Sequence, residues 1–210
     1  MTPQLYNSIA VSDVLEPMKY LHSKYAENKR KTFAVGCSMG ANILANLLGF
    51  ESENCFIDAA CVVQAPMKKW MLKDPIRNSM FGFYNYAMGR NLNKIMLRHE
   101  PVLKEHFKSI NIDIRDTVTR NPPSIITFDD VFTAPAFGYE GVDDYYQKAS
   151  CYHRMPAIRV PTLFLNAKDD PVCAEVCIAY DRFQENPNIV LGVTEHGGHL
   201  GYHESLFSYR

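Results

Sequence analysis

An α/β fold of four mainly parallel strands with flanking helices is predicted by this sequence, on three observations. Four β-rich runs, at 31–37, 58–64, 160–166 and 188–193, punctuate the chain. The first three are apolar over most of their length, as strands buried on both faces of a parallel sheet are. Stripes of apolar residues at helical spacing lie between the runs, and alternating strand and helix means a wound parallel sheet.

Taken in order, the first element is a helix on which Val14, Met18, Leu21 and Tyr25 fall at i, i+4, i+7 and i+11. Asp13 and Glu16 are spaced as a capping pair, which puts Pro17 in the first turn, where its missing N–H is tolerable. After the first strand, Ile43, Leu44, Leu47 and Leu48 form a second helical stripe, stopped by Gly49. The interval 66–160 breaks the rhythm. It holds Trp70, Phe81, Phe83, Tyr84, Tyr86, Phe107, Phe128, Phe132 and Phe137 and is too long for a simple crossover. A lid-like helical insertion of about 66–150 within a single domain 1–210 is expected. Its aromatics either fill the insertion's own core or wall a substrate pocket. After the third strand, Val176, Ile178, Ala179 and Phe183 predict a helix ending before Pro187, and 200–209 reads as a helical tail.

Composition narrows the function classes. Lys plus Arg is 22 against 23 for Asp plus Glu, a formal net charge of -1. No positive excess is available to track phosphates, so nucleic acid is not an expected partner. The longest apolar stretches, such as Ala59 to Val63, are too short to cross a bilayer, and Met1 to Ala10 lacks the layout of a signal peptide. Six cysteines, with no pair at metal-ligand spacing, read as reduced intracellular thiols.

The chemistry is carried by three segments. Gly36-Cys37-Ser38-Met39-Gly40 is a G-x-S-x-G motif directly after an apolar strand and before an amphipathic helix. A serine there occupies a strained turn that lifts its hydroxyl above the sheet, and the glycines let strand and helix pass closely. Cys37, just before it, is expected to point into the sheet packing and is not a rival nucleophile. The third strand runs into Lys168-Asp169-Asp170-Pro171, where a carboxylate reaches the edge at which open α/β sheets place their sites. Thr194-Glu195-His196-Gly197-Gly198-His199 follows the last strand, and its glycines let an imidazole return over the sheet. Ser, Asp, His is the chain order of α/β-hydrolases. A metal site on His196, His199 and His203 is disfavoured, because His199 and His203 lack the H-E-x-x-H arrangement. No cofactor is expected.

Several segments together resemble the AB hydrolase 4 family: 36–42, Asp143-Asp144-Tyr145-Tyr146-Gln147-Lys148-Ala149-Ser150, Pro161-Thr162-Leu163, 166–171 and Gly197-Gly198-His199-Leu200-Gly201. That family includes medium-chain fatty-acid ethyl ester synthase/esterases, phospholipases and monoacylglycerol lipases. The resemblance runs almost end to end. It implies the C-terminal part of an α/β-hydrolase fold, charge-relay roles for Ser38, Asp170 and His199, and lipid or other carboxylic esters as substrates. It also makes 2–7 similar to a mid-domain segment. The preceding half, with the H-G-type loop that supplies part of the oxyanion hole and the membrane anchor of some members, is expected to be missing from this chain. The first strand would then be an exposed edge inviting self-association.

The implied reaction is acyl transfer, with Ser38 attacking, His199 as base, Asp170 orienting it and the backbone N–H of Met39 as half of the oxyanion hole. Two alternatives stand beside hydrolysis: an alcohol O-acyltransferase using the same three residues, and an impaired or non-catalytic fragment acting as an interaction partner.

Overall fold

The computed structural model describes residues 4–25 and 30–202. In chain order its helices and strands are α1 (Val11–Tyr25), β1 (Phe33–Cys37), α2 (Met39–Glu51), β2 (Ala59–Val63), α3 (Lys73–Asn78), α4 (Phe83–Ser109), α5 (Ile114–Arg120), α6 (Ile125–Phe128), α7 (Ala134–Ala136), α8 (Val142–Ala149), β3 (Thr162–Ala167), α9 (Arg182–Glu185) and β4 (Ile189–Thr194). Among the described residues they divide into two compact units, one of 8–25, 30–72 and 149–202 and one of 4–7 and 73–148.

The first unit holds the sheet. Its four strands lie in the order β1-β2-β3-β4, every neighbouring pair parallel. All four predicted strands are therefore present, with ends shifted by one or two residues. Gly36, Val62, Phe164 and Leu191 stand in register across the sheet. On this face Val62 and Phe164 are fully buried against α2, whose Leu44, Leu47 and Leu48 join the same core. Each such leucine contributes about 1.5–3 kcal/mol on burial.

The neighbouring register row faces the other way: Val35, Cys61, Leu163 and Val190. Val35 is 71% exposed and Val190 62% exposed. The expectation that the first three strands are buried on both faces is thus corrected by Val35 on β1 and Leu163 on β3. Continuous apolar character did mark strands, but it did not tell which face carries a packed layer. Cys37 shares a face with Phe33 and Val35, and is exposed instead of packed into the sheet.

Four helix expectations are also corrected. Pro17 lies in the interior of α1, not its first turn, because the helix starts at Val11, ahead of the Asp13/Glu16 pair. The core-facing side of α1 is formed by Val11, Leu15 and Met18, while Leu21 is 51% exposed. Gly49 does not stop α2, which runs on to Glu51. It is a point of close approach: a Cβ there would stand 2.4 Å from the Arg154 carbonyl oxygen. The segment with Val176, Ile178 and Ala179 forms a 3-10 turn, Glu175–Cys177, and only the short α9 follows before Pro187.

Asn42 ties distant parts of this unit together. Wholly buried on α2, it donates to the carbonyls of Ser8 (2.7 Å) and Ala149 (2.8 Å) and accepts from the N–H of Cys151 (2.9 Å). Backbone groups buried by the chain's return to the sheet thereby find partners.

The second unit is helical. Met96, Leu103 and Phe107 of α4 pack with Ile114, Phe128 and Phe132. Phe132 meets Phe107 edge-on at 5.7 Å between ring centres. At Gly89 a Cβ would come within 2.2 Å of the Ser124 nitrogen, so only glycine lets α4 approach the start of α6 this closely. Phe107, Phe128 and Phe132 are thus buried in this unit's own core, whereas Phe81 and Phe83 are exposed. Trp70 belongs to the sheet unit, edge-on to Tyr152 at 5.3 Å.

Candidate active site

β1 ends at the elbow. Ser38 has φ 54 and ψ -120, a backbone region that L-residues rarely adopt, and α2 begins at the next residue. Its N–H donates to Val63 at the end of β2 (2.9 Å), and its carbonyl accepts from Asn42 (3.2 Å), so the strained turn is held from both sides. Gly36 is required sterically: a Cβ there would lie 2.6 Å from the Gly40 carbonyl oxygen. Gly40 has nothing within 4 Å of such a Cβ, so only one of the two motif glycines serves a close passage. Met39 opens the helix, and its N–H is among the first-turn donors that have no intrahelical acceptor. Such a donor, at the positive end of a helix, suits developing negative charge.

β3 delivers the acid. Beyond Ala167 the chain turns, and the buried Asp170 accepts from the N–H groups of Val172 (2.7 Å) and Cys173 (2.8 Å) through Oδ1. β4 delivers the imidazole. His199 Nδ1 lies 2.9 Å from Asp170 Oδ2 and 3.1 Å from Oδ1, and Nε2 lies 2.9 Å from Ser38 Oγ. A carboxylate accepts, so the tautomer that suits this arrangement has its proton on Nδ1, toward Asp170, and its lone pair on Nε2, toward the serine hydroxyl. Ser38, His199 and Asp170, named from sequence, thus form one continuous line of hydrogen bonds. The Asp170 side chain has no exposed surface and that of His199 is 21% exposed.

Asp169 is turned elsewhere. Its Oδ1 accepts from the Gly198 N–H (2.8 Å) and its Oδ2 lies 3.4 Å from His196 Nδ1. The Gly198 N–H first, with His196 adding, holds the Asp169 carboxyl below the usual carboxylate range. Of the three histidines weighed as metal ligands, His196 is therefore at the surface beside Asp169, His199 faces Ser38, and His203 lies outside the described residues. A different trio, Asp170, Cys173 and His199, has ligand atoms within 4.8 Å of one another. Both Asp170 and His199 are already engaged as above. Burial pushes the Cys173 thiol well up, which disfavours the thiolate a metal needs.

The sequence assigned no role to Gln64, which ends the second apolar run. Wholly buried and at φ 53, it donates through Nε2 to the Gly198 carbonyl (2.6 Å) and accepts through Oε1 from the Ala167 N–H (3.1 Å). A long polar side chain at the carboxyl end of a buried apolar strand was the available signal. No helix among the described residues is long and apolar enough to cross a membrane.

Comparison with known proteins supplies the family. Residues 7–205 match the Hydrolase_4 family model, described as serine aminopeptidase, S33. A monoacylglycerol lipase of Saccharomyces cerevisiae is 34% identical over 206 residues, covering 96% of this chain and 44% of the relative. A medium-chain fatty acid ethyl ester synthase/esterase 2 from the same yeast is 32% identical, covering 94% and 46%. The chain thus spans about half the length of the curated relatives it matches. Among solved structures, an alpha/beta fold family hydrolase from Bacillus anthracis superposes with a TM-score of 0.52 at 14% identity, over 93% of this chain and 70% of that one. The fold is that of α/β-hydrolases, with four parallel strands and flanking helices.

Proposed function

This chain belongs to the Hydrolase_4 family (serine aminopeptidase, S33), and we propose that the protein hydrolyses carboxylic esters of lipids, with short- to medium-chain acyl groups, through an acyl-enzyme on Ser38. The observation that supports this most is the unbroken line from Ser38 Oγ to His199 to Asp170 at the end of a strained elbow. In this reading His199 takes the hydroxyl proton as Oγ attacks the ester carbonyl, and Asp170 stabilises the imidazolium that forms. The Met39 N–H donates to the oxyanion. When the intermediate collapses, His199 returns the proton to the leaving alkoxide, and the alcohol departs. Water, deprotonated by the same imidazole, then attacks the acyl-enzyme and frees the acid and Ser38.

The substrate class rests on the relatives named as a monoacylglycerol lipase and an ethyl ester synthase/esterase. The second name favours one further reading, in which an alcohol replaces water in deacylation and the product is a new ester. The test is turnover of a p-nitrophenyl ester series, with products analysed in the presence and absence of ethanol. Ester cleavage that is lost in Ser38→Ala supports the proposal, and a Ser38→Ala protein that retains the rate refutes it. Ethyl ester formed in place of free acid would assign the transferase reading.

A further inference from the structure

We infer that Gln64 is a positioning residue for the catalytic histidine: it holds the peptide unit just before His199 and locks the histidine loop to the acid-bearing strand. The inference rests on the triad reading above. The sequence around the histidine, Gly197-Gly198-His199, is conformationally loose, and Gly198 has φ +54. Something must fix it, because an imidazole displaced by about 1 Å costs on the order of 10²-fold in rate. Gly198 is gripped on both sides. Its carbonyl accepts from Gln64 Nε2 at 2.6 Å, and its N–H donates to Asp169 Oδ1 at 2.8 Å.

Gln64 makes this grip informative because its other amide atom is also committed. Oε1 accepts from the N–H of Ala167, the last residue of β3 and three before Asp170. One planar amide therefore fixes the distance between the segment that carries the acid and the segment that carries the base. The same stretch of chain reaches the nucleophile, since the carbonyl of Val63, the preceding residue, accepts from the Ser38 N–H. The Gln64 N–H, in turn, donates to Leu165 on β3 at 2.8 Å. With its φ of 53, Gln64 leaves the strand in the left-handed region, which is strained for a residue other than glycine. Strain retained at a wholly buried polar residue, between three catalytic segments, is what a positioning role would require.

The experiment compares wild type, Gln64→Met, Asp169→Ala and the double variant in the protein, with Ile158→Val, at a buried core residue that makes none of the clamp's hydrogen bonds, as control. Gln64→Met keeps the side-chain length and removes both amide hydrogen bonds. Asp169→Ala frees the other side of Gly198 from a partly exposed position, so it reports on the clamp even if Gln64→Met folds poorly. Two readouts are used: kcat and KM per active site titrated with a fluorophosphonate, and the downfield proton resonance of the His199 Nδ1–H hydrogen bond to Asp170. Each single variant is expected to lower kcat per titrated site by about 10–100-fold with KM changed less than about twofold. It is also expected to broaden the resonance, while Ile158→Val leaves both as in wild type. The double variant should lose less than the product of the singles, since both act on one residue, Gly198. A kcat per titrated site within about twofold of wild type in both single variants, with the resonance intact, overturns the inference. If the wild type turns over no ester, the triad reading fails. The resonance then decides the clamp alone, and its persistence unchanged in Gln64→Met overturns it.

Discussion

Two adjacent carboxylates, Asp169 and Asp170, show how much one residue's register decides. Asp170 faces His199 from a position without solvent exposure, while Asp169 faces the Gly198 N–H and the exposed His196. Asp170→Asn would present an amide where the imidazole needs an acceptor-only partner. Its turnover is expected to fall about 10⁴-fold, as when the orienting acid of other triads is lost. Asp169→Asn keeps an oxygen for Gly198, so its loss should stay within about tenfold. Steady-state kinetics of the two variants on one ester check the ranking, and the reverse order would contradict it. The pH dependence follows in sign. The Asp169 carboxyl is depressed in the folded protein, chiefly by the Gly198 N–H. Its contribution is therefore complete above the unfolded carboxylate value of about 3.9, and is lost only as pH falls through the depressed value. The two roles follow from which backbone groups each side chain meets. The sequence distinguished the two carboxylates, and it is Asp170, not Asp169, that the structure brings to His199; it gave Gln64 no role, since nothing in an apolar run announces what its last side chain will reach.

The β1–α2 elbow at Ser38 is an element whose sequence determines its geometry closely. Gly36 passes against the first turn of α2 with no room for a side chain, since a Cβ would meet backbone atoms of Gly40 and Ala41 at 2.6–3.0 Å. Backbone cannot swing aside as a side chain can, so Gly36→Ala should push β1 and α2 apart. The expected cost is about 2–4 kcal/mol, read as a shift in the urea midpoint. Gly40→Ala meets nothing within 4 Å and lies in a helix, where alanine is favoured, so it should be neutral or stabilising by up to about 1 kcal/mol. Equal effects of the two substitutions would contradict this account of the elbow. The G-x-S-x-G pattern was legible, yet it treats its glycines as equivalent. The strands were legible from continuous apolar runs, which stand out against polar turns. The faces of α1 were not: Val14, Leu21 and Tyr25 lie at regular spacing, but Val11, Leu15 and Met18 offer a competing stripe a few residues away. Which stripe is buried depends on where α2 stands, a long-range fact. In the same way Gly49 reads as a helix stop locally, while its role is set by Arg154, more than a hundred positions further along.

At the scale of the molecule, one compact unit contains the whole Ser38–His199–Asp170 line, and the helical unit of 73–148 has a core of its own. The sheet unit buries one face under α2 and presents Phe33, Val35, Leu163 and Val190 on the other. All-parallel sheets are ordinarily covered on both faces, and a run of apolar residues predicts exactly that arrangement whichever layer is at hand. Membership in Hydrolase_4 and the relatives named for lipid esters give the reaction class its direction, while the chain's span of about half their length makes ester turnover something to be measured on the protein. The most direct measurement is peptide mapping by mass spectrometry after treatment with a fluorophosphonate, which phosphonylates an activated serine with loss of fluoride. The adduct is expected on Ser38, with labelling abolished in Ser38→Ala and slowed by several orders of magnitude in a variant of His199. An adduct that maps to Cys37 or to any other residue, or labelling of Ser38 at the same rate without His199, would contradict the account.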